Sequence, residues 1–301
     1  MPKVITPALL RDIDKSLNLR FNKGRVRVPG FARRICSVMQ SSSAEELYGW
    51  IKDLPGLEKN PAEITAVVVA LDGHSIKNDE FVRSITIPRS AVEDDRDGVF
   101  GSLAEEFGQK GAQRPDIELI AALLASFTTL KAWTTKALFA TDHKIGKITF
   151  SNKGTKKLSA ANYEAGIAVI RGAKDGGGDP LFTLSDSSKV FLVVGENYEA
   201  TGKAIVKTAT LAAGGDNPNY NTAELVVIPG LGDAWFILDN SPTVGGLIFQ
   251  DRIPLSIVAN FNPASQEVLQ HNRFSWNARS RFAIGAGRPE YCYGSTGADA
   301  A

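Results

Sequence analysis

Three histidines, two cysteines and a few tight groups of carboxylates are the side chains in this 301-residue chain whose types and spacing could do chemistry. Thr141-Asp142-His143 sets a carboxylate beside an imidazole, the pairing that orients a general base. A hydrolase built on it would also need a nucleophile on a strained elbow, and the sequence holds no GxSxG. His143 is therefore read as a turn residue bonded to nearby backbone. His74, His143 and His271 form no HxH, HExxH or His-Cys spacing, so a metal site would have to be assembled over long range. Cys36 and Cys292 fit neither a disulfide-dense scaffold nor a CxxC site, which makes a reducing compartment the default.

The carboxylates fare no better. Glu93, Asp94, Asp95 and Asp97 lack the alternating ligand spacing of a calcium loop and are expected to lead into a helix, where they suit the positive end of its dipole. Glu105 and Glu106 are adjacent on a helix and point about 100° apart, poor geometry for a shared proton. They are expected to be solvated or paired across an interface. Gly195 to Ala204 (GENYEATGKA) approaches a phosphate loop, but six residues separate Gly195 from Gly202 where four are needed, and Ala204 replaces the hydroxyl that would hold magnesium. Gly285-Ala286-Gly287 lacks the third glycine of a dinucleotide fingerprint and reads as a bend. No residue is assigned a catalytic, cofactor-binding or metal-binding role, and no cofactor is implied.

The elements around these residues follow from periodicity and punctuation. Ser41-Ser42-Ser43-Ala44-Glu45-Glu46 carries the pattern of a capping box before a short helix through Leu47 and Trp50, ended by Pro55-Gly56. Ile64 to Leu71 is β-branched, Asp72-Gly73 is a turn dipeptide, and Phe81, Arg83, Ile85 and Ile87 alternate, so 64–87 is predicted as a long hairpin. Pro88 marks where the returning strand leaves the pairing or reaches an edge. Val99, Phe100, Leu103 and Phe107, then Ile117, Ile120, Leu123, Leu124 and Phe127, predict two helices or one kinked helix over about 98–127, with Pro115 at the join. A further helix over 158–174 starts at Ser159, buries Tyr163, Ile167 and Ile170, and is ended by Gly176-Gly177-Gly178. Strand signals follow at 190–194, 225–228, 234–238 and 247–249, with a helix through Tyr198, Ile205 and Val206 among them. The aromatic and arginine alternation from Phe274 to Tyr293 predicts a strand closing a sheet. Hairpin, long helix, helix and mixed sheet in that order make an α+β fold.

Charge is distributed unevenly. The first 34 residues hold nine basic side chains against Asp12 and Asp14, a net +7, while the whole chain carries only +1. Global charge favours no partner, and the basic segment is read either as a solvated terminus or as an arm that orders against acidic neighbours or nucleic acid. After a short helix through Leu9, Ile13 and Leu17 the arm should be extended, because Gly24, Pro29 and Gly30 interrupt it. No apolar leader follows Lys3, and runs such as Ala66–Leu71 fall far short of the roughly 20 residues that span a bilayer, so a soluble, unexported chain is expected.

Several strings coincide in order with one family. Phe21-Asn22-Lys23-Gly24, Ala44-Glu45-Glu46-Leu47-Tyr48-Gly49-Trp50 with Leu54-Pro55, Ile76-Lys77-Asn78 with Phe81, Ile87-Pro88-Arg89 and Glu93-Asp94-Asp95 lie in the first third. Leu123 to Thr129, Phe139 to His143, Ala234 to Asp239 and Leu247 to Arg252 follow. Together they resemble the major head protein of Mu-type tailed bacteriophages over nearly the whole chain.

The resemblance implies an α+β fold of the Hong Kong 97 capsid type and no enzymatic activity. It implies an N-terminal arm at 1–47, an extended hairpin loop at 48–87 and a peripheral domain with a long spine helix at 88–187. An axial domain at 188–260 and a return to the peripheral domain at 261–301 complete it. Many copies would form pentamers and hexamers and close an icosahedral shell around double-stranded DNA held without sequence specificity. Scaffold, portal and decoration proteins are the implied partners, the virion the implied location, and the host bacterial cytoplasm the implied place of assembly, with no membrane involved. On this reading the arm lies along an acidic neighbouring subunit and the hairpin reaches over an adjacent one. A tail tube or sheath subunit is the main alternative, being equally free of catalytic motifs but building helical assemblies. A metal-free hydrolase around Asp142 and His143 is the remaining one.

Overall fold

A computed structural model describes residues 6–48, 74–94, 99–146, 148–211, 213–260, 262 and 265–299. The chain divides into two compact units, Met1–Gly30 with Asn78–Ile117 and Asp251–Ala283, and Phe31–Lys77 with Glu118–Gln250 and Ile284–Ala301. In chain order the first third carries helix α1 (Pro7–Val26), helix α2 (Phe31–Ile35), strands β1 (Ser37–Gln40), β2 (Glu45–Leu47), β3 (Ser75–Lys77) and β4 (Asp79–Pro88), and helix α3 (Arg89–Asp94). The middle carries helix α4 (Val99–Ala125), strands β5 (His143–Ile145), β6 (Ile148–Phe150) and β7 (Lys153–Lys156), helix α5 (Ala160–Arg171), strand β8 (Val190–Val194) and helix α6 (Glu199–Val206). Strands β9 (Glu224–Val227), β10 (Trp235–Asp239) and β11 (Leu247–Asn260), helix α7 (Gln266–His271), and strands β12 (Arg273–Ala286) and β13 (Cys292–Asp299) complete it.

In the first unit α1 starts where Thr6 caps it, its hydroxyl accepting from the Leu9 amide at 3.2 Å, with Pro7 in the first turn. The helix runs on through Gly24 to Val26, so the arm is helical where an extended chain was expected. It persists because Leu10, Leu17 and Phe21 lie on one stripe and are all buried. Leu10 and Leu17 join Ile87, Val92, Ala104, Val268, Phe274 and Trp276 in one core. Strand β4 pairs antiparallel with β12 from Arg273↔Pro88 to Phe282↔Asp79 and ends at Pro88. Within this unit β4 is an end strand, with β12 beside it and β11 beyond. The other half of the predicted hairpin, Ile64–Leu71 with its Asp72-Gly73 turn, lies outside the described residues.

Helix α4 is a single element with Pro115 inside it, which removes the ladder hydrogen bond to the Gly111 carbonyl. Its buried positions are Ala104, Gly108, Asp116, Leu119 and Leu123, whereas Leu103, Ile117 and Leu124, expected in the core, are exposed. Glu93 and Asp94 fall at the end of α3 rather than in the first turn of α4, and 95–98 lie outside the described residues.

The second unit centres on a mixed sheet of order β7-β13-β10-β8-β9, with β8 and β9 parallel, β7 and β13 parallel, and β10 antiparallel to its neighbours. Both faces are covered, so β8 and β10 read as unbroken apolar runs. On one face Trp235, Ile237, Val190, Leu192 and Val194 pack with Tyr163 and Ile170 of α5 and with Ile205 and Val206 of α6. On the other, Phe236 meets Phe127 and Phe139 at ring distances of 5.5 and 5.4 Å. Ser159 caps α5 through the Asn162 amide as predicted, but the helix stops at Gly172, before the Gly176-Gly177-Gly178 run.

Two local predictions fail for instructive reasons. Glu46 does reach back to the serines, accepting from the Ser42 amide at 2.6 Å, the Ser43 amide at 2.9 Å and the Ser41 hydroxyl at 3.0 Å. Those bonds close a turn rather than open a helix, because Glu45–Leu47 pair with β3 and the Tyr48 amide donates to the His74 carbonyl. Trp50 and Pro55-Gly56 lie outside the described residues. Gly285-Ala286-Gly287, expected as a bend, ends strand β12, and the Gly287 amide donates to Gly246 O at 2.8 Å.

Three short hairpins in this unit share one geometry, closed by Leu138 N to Leu130 O, Leu181 N to Ala173 O and Asn217 N to Ala209 O. Each needs a left-handed residue at the same place, filled by Thr135 (φ 65°), Gly178 (φ 105°) and Gly214 (φ 77°).

Candidate functional site

The His143 and Asp142 side chains do not work as a pair. His143 is fully buried; its Nε2–H donates to Leu138 O at 3.1 Å, which leaves Nδ1 to accept from the Thr134 hydroxyl at 2.8 Å. Its ring stacks on Phe150, and burial holds its pKa below the usual imidazole range. The Asp142 carboxylate faces solvent and is taken by Lys136. His74 is half-buried and donates to Ala286 O at 2.8 Å, and His271 closes α7. Cys36 and Cys292 are both buried thiols outside any disulfide, and burial raises the Cys292 thiol well above its ordinary value. In the Gly195–Ala204 stretch, Gly202 lies inside α6, facing Leu225, and Lys203 is paired with Glu199 at 2.5 Å. Among the described residues no group of three or more His, Cys, Asp or Glu could hold a metal ion, and no helix is long and apolar enough to cross a membrane.

The surfaces that could carry an assembly function are in the first unit. Helices α1 and α4 cross at two glycines, a contact sequence reasoning missed. A Cβ on Gly24 would collide with the backbone carbonyl of Glu105, and a Cβ on Gly108 with that of Phe21. Phe21 and Phe107 meet edge to face at 5.8 Å beside this crossing. The Glu105 carboxylate then sits among Arg27 at 2.5 Å, Arg20 at 3.7 Å and Lys23 at 3.8 Å. Glu105 is thus paired within its own chain rather than across an interface, while Glu106 pairs with Lys110 one turn on. Arg25 donates to Leu255 O at 3.0 Å, and in the second unit Arg34 pairs with Glu224. Much of the arm's charge, expected to seek an acidic neighbour, is therefore engaged inside the chain. The signal in the sequence was the helical spacing of Leu10, Leu17 and Phe21 leading up to Gly24, and of Leu103 and Phe107 leading up to Gly108.

Beside this clamp a groove of about 530 Å³ runs between β4 and α4. Phe81, Ile85, Phe107 and Leu255 line it, and Arg83, Lys110 and Arg114 edge it. The Arg114 guanidinium lies over the Phe81 ring at 5.0 Å, and Phe81 stacks on Phe282 at 4.4 Å. Glu80, the acidic residue of the lining, is occupied by Arg279 at 2.5 Å.

These features suit a subunit that works through contacts rather than chemistry, and the comparisons with known proteins agree. The profile of the family described as the Mu-like prophage major head subunit gpT matches residues 10–156, 147–231 and 229–299. The chain belongs to that family. The Mu-like prophage FluMu major head subunit of Haemophilus influenzae is 29% identical over 158 residues, 52% of this chain and 50% of that protein. The match therefore spans about half the length of that relative. The major capsid protein of Escherichia phage Mu is 24% identical over 285 residues, 94% of this chain and 72% of that protein. Among solved structures, the procapsid of bacteriophage JBD30 superposes with a TM-score of 0.58 at 22% identity, covering 97% of this chain and 76% of that one. The mature capsid of bacteriophage PhiM1 gives 0.55 at 13% identity over 89% of this chain and 87% of that one. The fold is the α+β Hong Kong 97 capsid type, and this Mu-like head subunit is a structural protein, not an enzyme.

Proposed function

We propose that many copies of this chain assemble as pentamers and hexamers into a closed icosahedral head that encloses double-stranded DNA. One observation carries the reading: the head-subunit profile follows the chain from residue 10 to residue 299. The two-unit architecture supports it, since each unit has its own buried core, which leaves the outer face of α1 and the groove as contact surfaces. In this reading 1–47 serves as the arm, 48–87 as the extended hairpin loop, 88–187 with α4 as the peripheral domain, 188–260 as the axial domain and 261–301 as the return. The outer face of α1, where Arg11 and Lys15 are exposed beside Leu19, is what the arm offers a neighbouring subunit. The exposed Val82 of β4 belongs to the part of the hairpin that an adjacent subunit would cover. DNA is held without sequence readout, in keeping with a net charge of +1. Scaffold, portal and decoration proteins complete the assembly, which takes place in the host bacterial cytoplasm and ends in the virion.

Negative-stain electron microscopy with light scattering, on the purified chain with and without its neighbouring head proteins, tests the proposal. Closed shells, or rings of five or six, are expected. A monomer with a radius of gyration near the roughly 19 Å of a globular chain this long, under every condition, would overturn it. Open tubes would point instead to a tail subunit.

A further inference from the structure

The groove beside α4 is apolar within and cationic at its edge. The chemistry it fits is an aromatic or aliphatic side chain flanked by carboxylates. The chain itself carries such a feature in its second unit. Phe182 is 92% exposed, the most exposed large hydrophobic side chain among the described residues. Beside it Asp186 is paired with Lys189 at 3.9 Å and Asp175 is held by its own turn, which leaves the exposed Asp179 as the carboxylate next to the ring.

Phe182 is held outward by the backbone on both sides. Before it, the hairpin at 173–181 is closed by Leu181 N to Ala173 O at 2.9 Å, and Asp175 Oδ1 accepts from the Gly177, Gly178 and Asp179 amides at 2.8–3.0 Å. After it, the Thr183 hydroxyl donates to Ile170 O at 3.0 Å and the Leu184 amide to the buried Asp239 carboxylate at 2.6 Å. With the backbone pinned on both sides, docking has only the two χ angles of the ring left to order, so Phe182 is suited to being an anchor.

We propose that Phe182 of one copy seats in the groove between β4 and α4 of the next copy, with Asp179 facing Arg83 at the rim. The inference rests on the assembly reading above. Knob and groove are different surfaces of the chain, so the contact is heterologous and repeats from copy to copy, as ring formation requires. Like charge disfavours Leu19 and Val26 as the knob, since both are well exposed but lie on the basic arm.

The test uses the full chain. Phe182→Ala is expected to cut the yield of rings or shells at least tenfold while leaving the melting temperature of the unassembled subunit unchanged. Arg83→Asp and Asp179→Arg should each impair assembly, and the double variant should restore it. With Pro180→Cys and Val82→Cys, a short bismaleimide should join neighbouring copies into a ladder on denaturing gels, against a low background because Cys36 and Cys292 are buried. Wild-type shells together with full assembly of Phe182→Ala, or crosslinks only within one chain or only to another head protein, would overturn the contact and leave the assembly reading standing. A wild-type chain that never assembles would overturn both.

Discussion

Replacing Gly101 and Gly108, two turns apart on α4, by alanine should move stability in opposite directions. In a helix interior alanine is favoured over glycine by about 0.5–1 kcal/mol. At Gly101 the new methyl would meet the Arg20 side chain at 3.6 Å, an ordinary contact, so the full gain should be realised. At Gly108 it would overlap the Phe21 carbonyl, which is backbone and cannot turn away. The helices must separate there, at an overpacking cost of about 1–3 kcal/mol, which leaves a net loss of up to about 2.5 kcal/mol after the propensity gain. The two variants should therefore differ by roughly 2 kcal/mol, or about 3 °C in melting temperature for a chain of this length. Urea and thermal unfolding of the unassembled subunit, followed by tryptophan fluorescence, reads this directly, because Trp276 lies in the core that α1 covers. If Gly108→Ala stabilises the chain as Gly101→Ala does, α1 does not cross α4 as described and the clamp is wrong.

Other consequences can be checked separately. Deleting residues 1–34 removes Leu10 and Leu17 from the core that holds Trp276, so the truncated chain should show red-shifted fluorescence and earlier unfolding, as well as failing to close shells; a melting curve unchanged by the deletion would contradict this. The Ser43 and Ser42 amides and the Ser41 hydroxyl hold Glu46 at about 2, below its ordinary 4.5, so its contribution to stability is present above about pH 4.5 and is lost as pH falls towards 2. A carbon-detected NMR titration should find that low midpoint, and Glu46→Gln should flatten this part of the acid-unfolding curve. Burial lowers both His143 and His74, so the unfolded chain takes up their protons first; stability should be full above about pH 6.5 and fall below it, and His143→Gln should reduce that dependence. Thr135 occupies the left-handed position that Gly178 and Gly214 fill in the matching hairpins, so Thr135→Gly should raise stability by about 0.5–1 kcal/mol in urea unfolding.

Elements written in a few neighbouring residues were legible from sequence. Val190–Val194 is a strand with the predicted bounds, because five consecutive β-branched or large apolar residues need a sheet covered on both faces. Helix α5 begins at its predicted cap and buries Tyr163 and Ile170, because capping and a 3.6-residue period act within a dozen residues. The ordered strings that carried the family resemblance are likewise local, and the family that they pointed to is the one the profile finds.

Partnership between distant segments was decided only by the tertiary structure. Gly24 and Gly108 look like breaks when each is read alone, and become contacts once two helices approach closely enough that neither can carry a Cβ. Glu105 lacks a partner in sequence until α1 brings Arg20, Lys23 and Arg27 around it. Glu46 has its capping bonds and still begins no helix, because pairing with β3 uses the next residues. Composition, period and capping set what each segment can be, since those forces act within a turn or two. Which segments meet is fixed by burial summed over the whole chain, and no short window of sequence contains that sum.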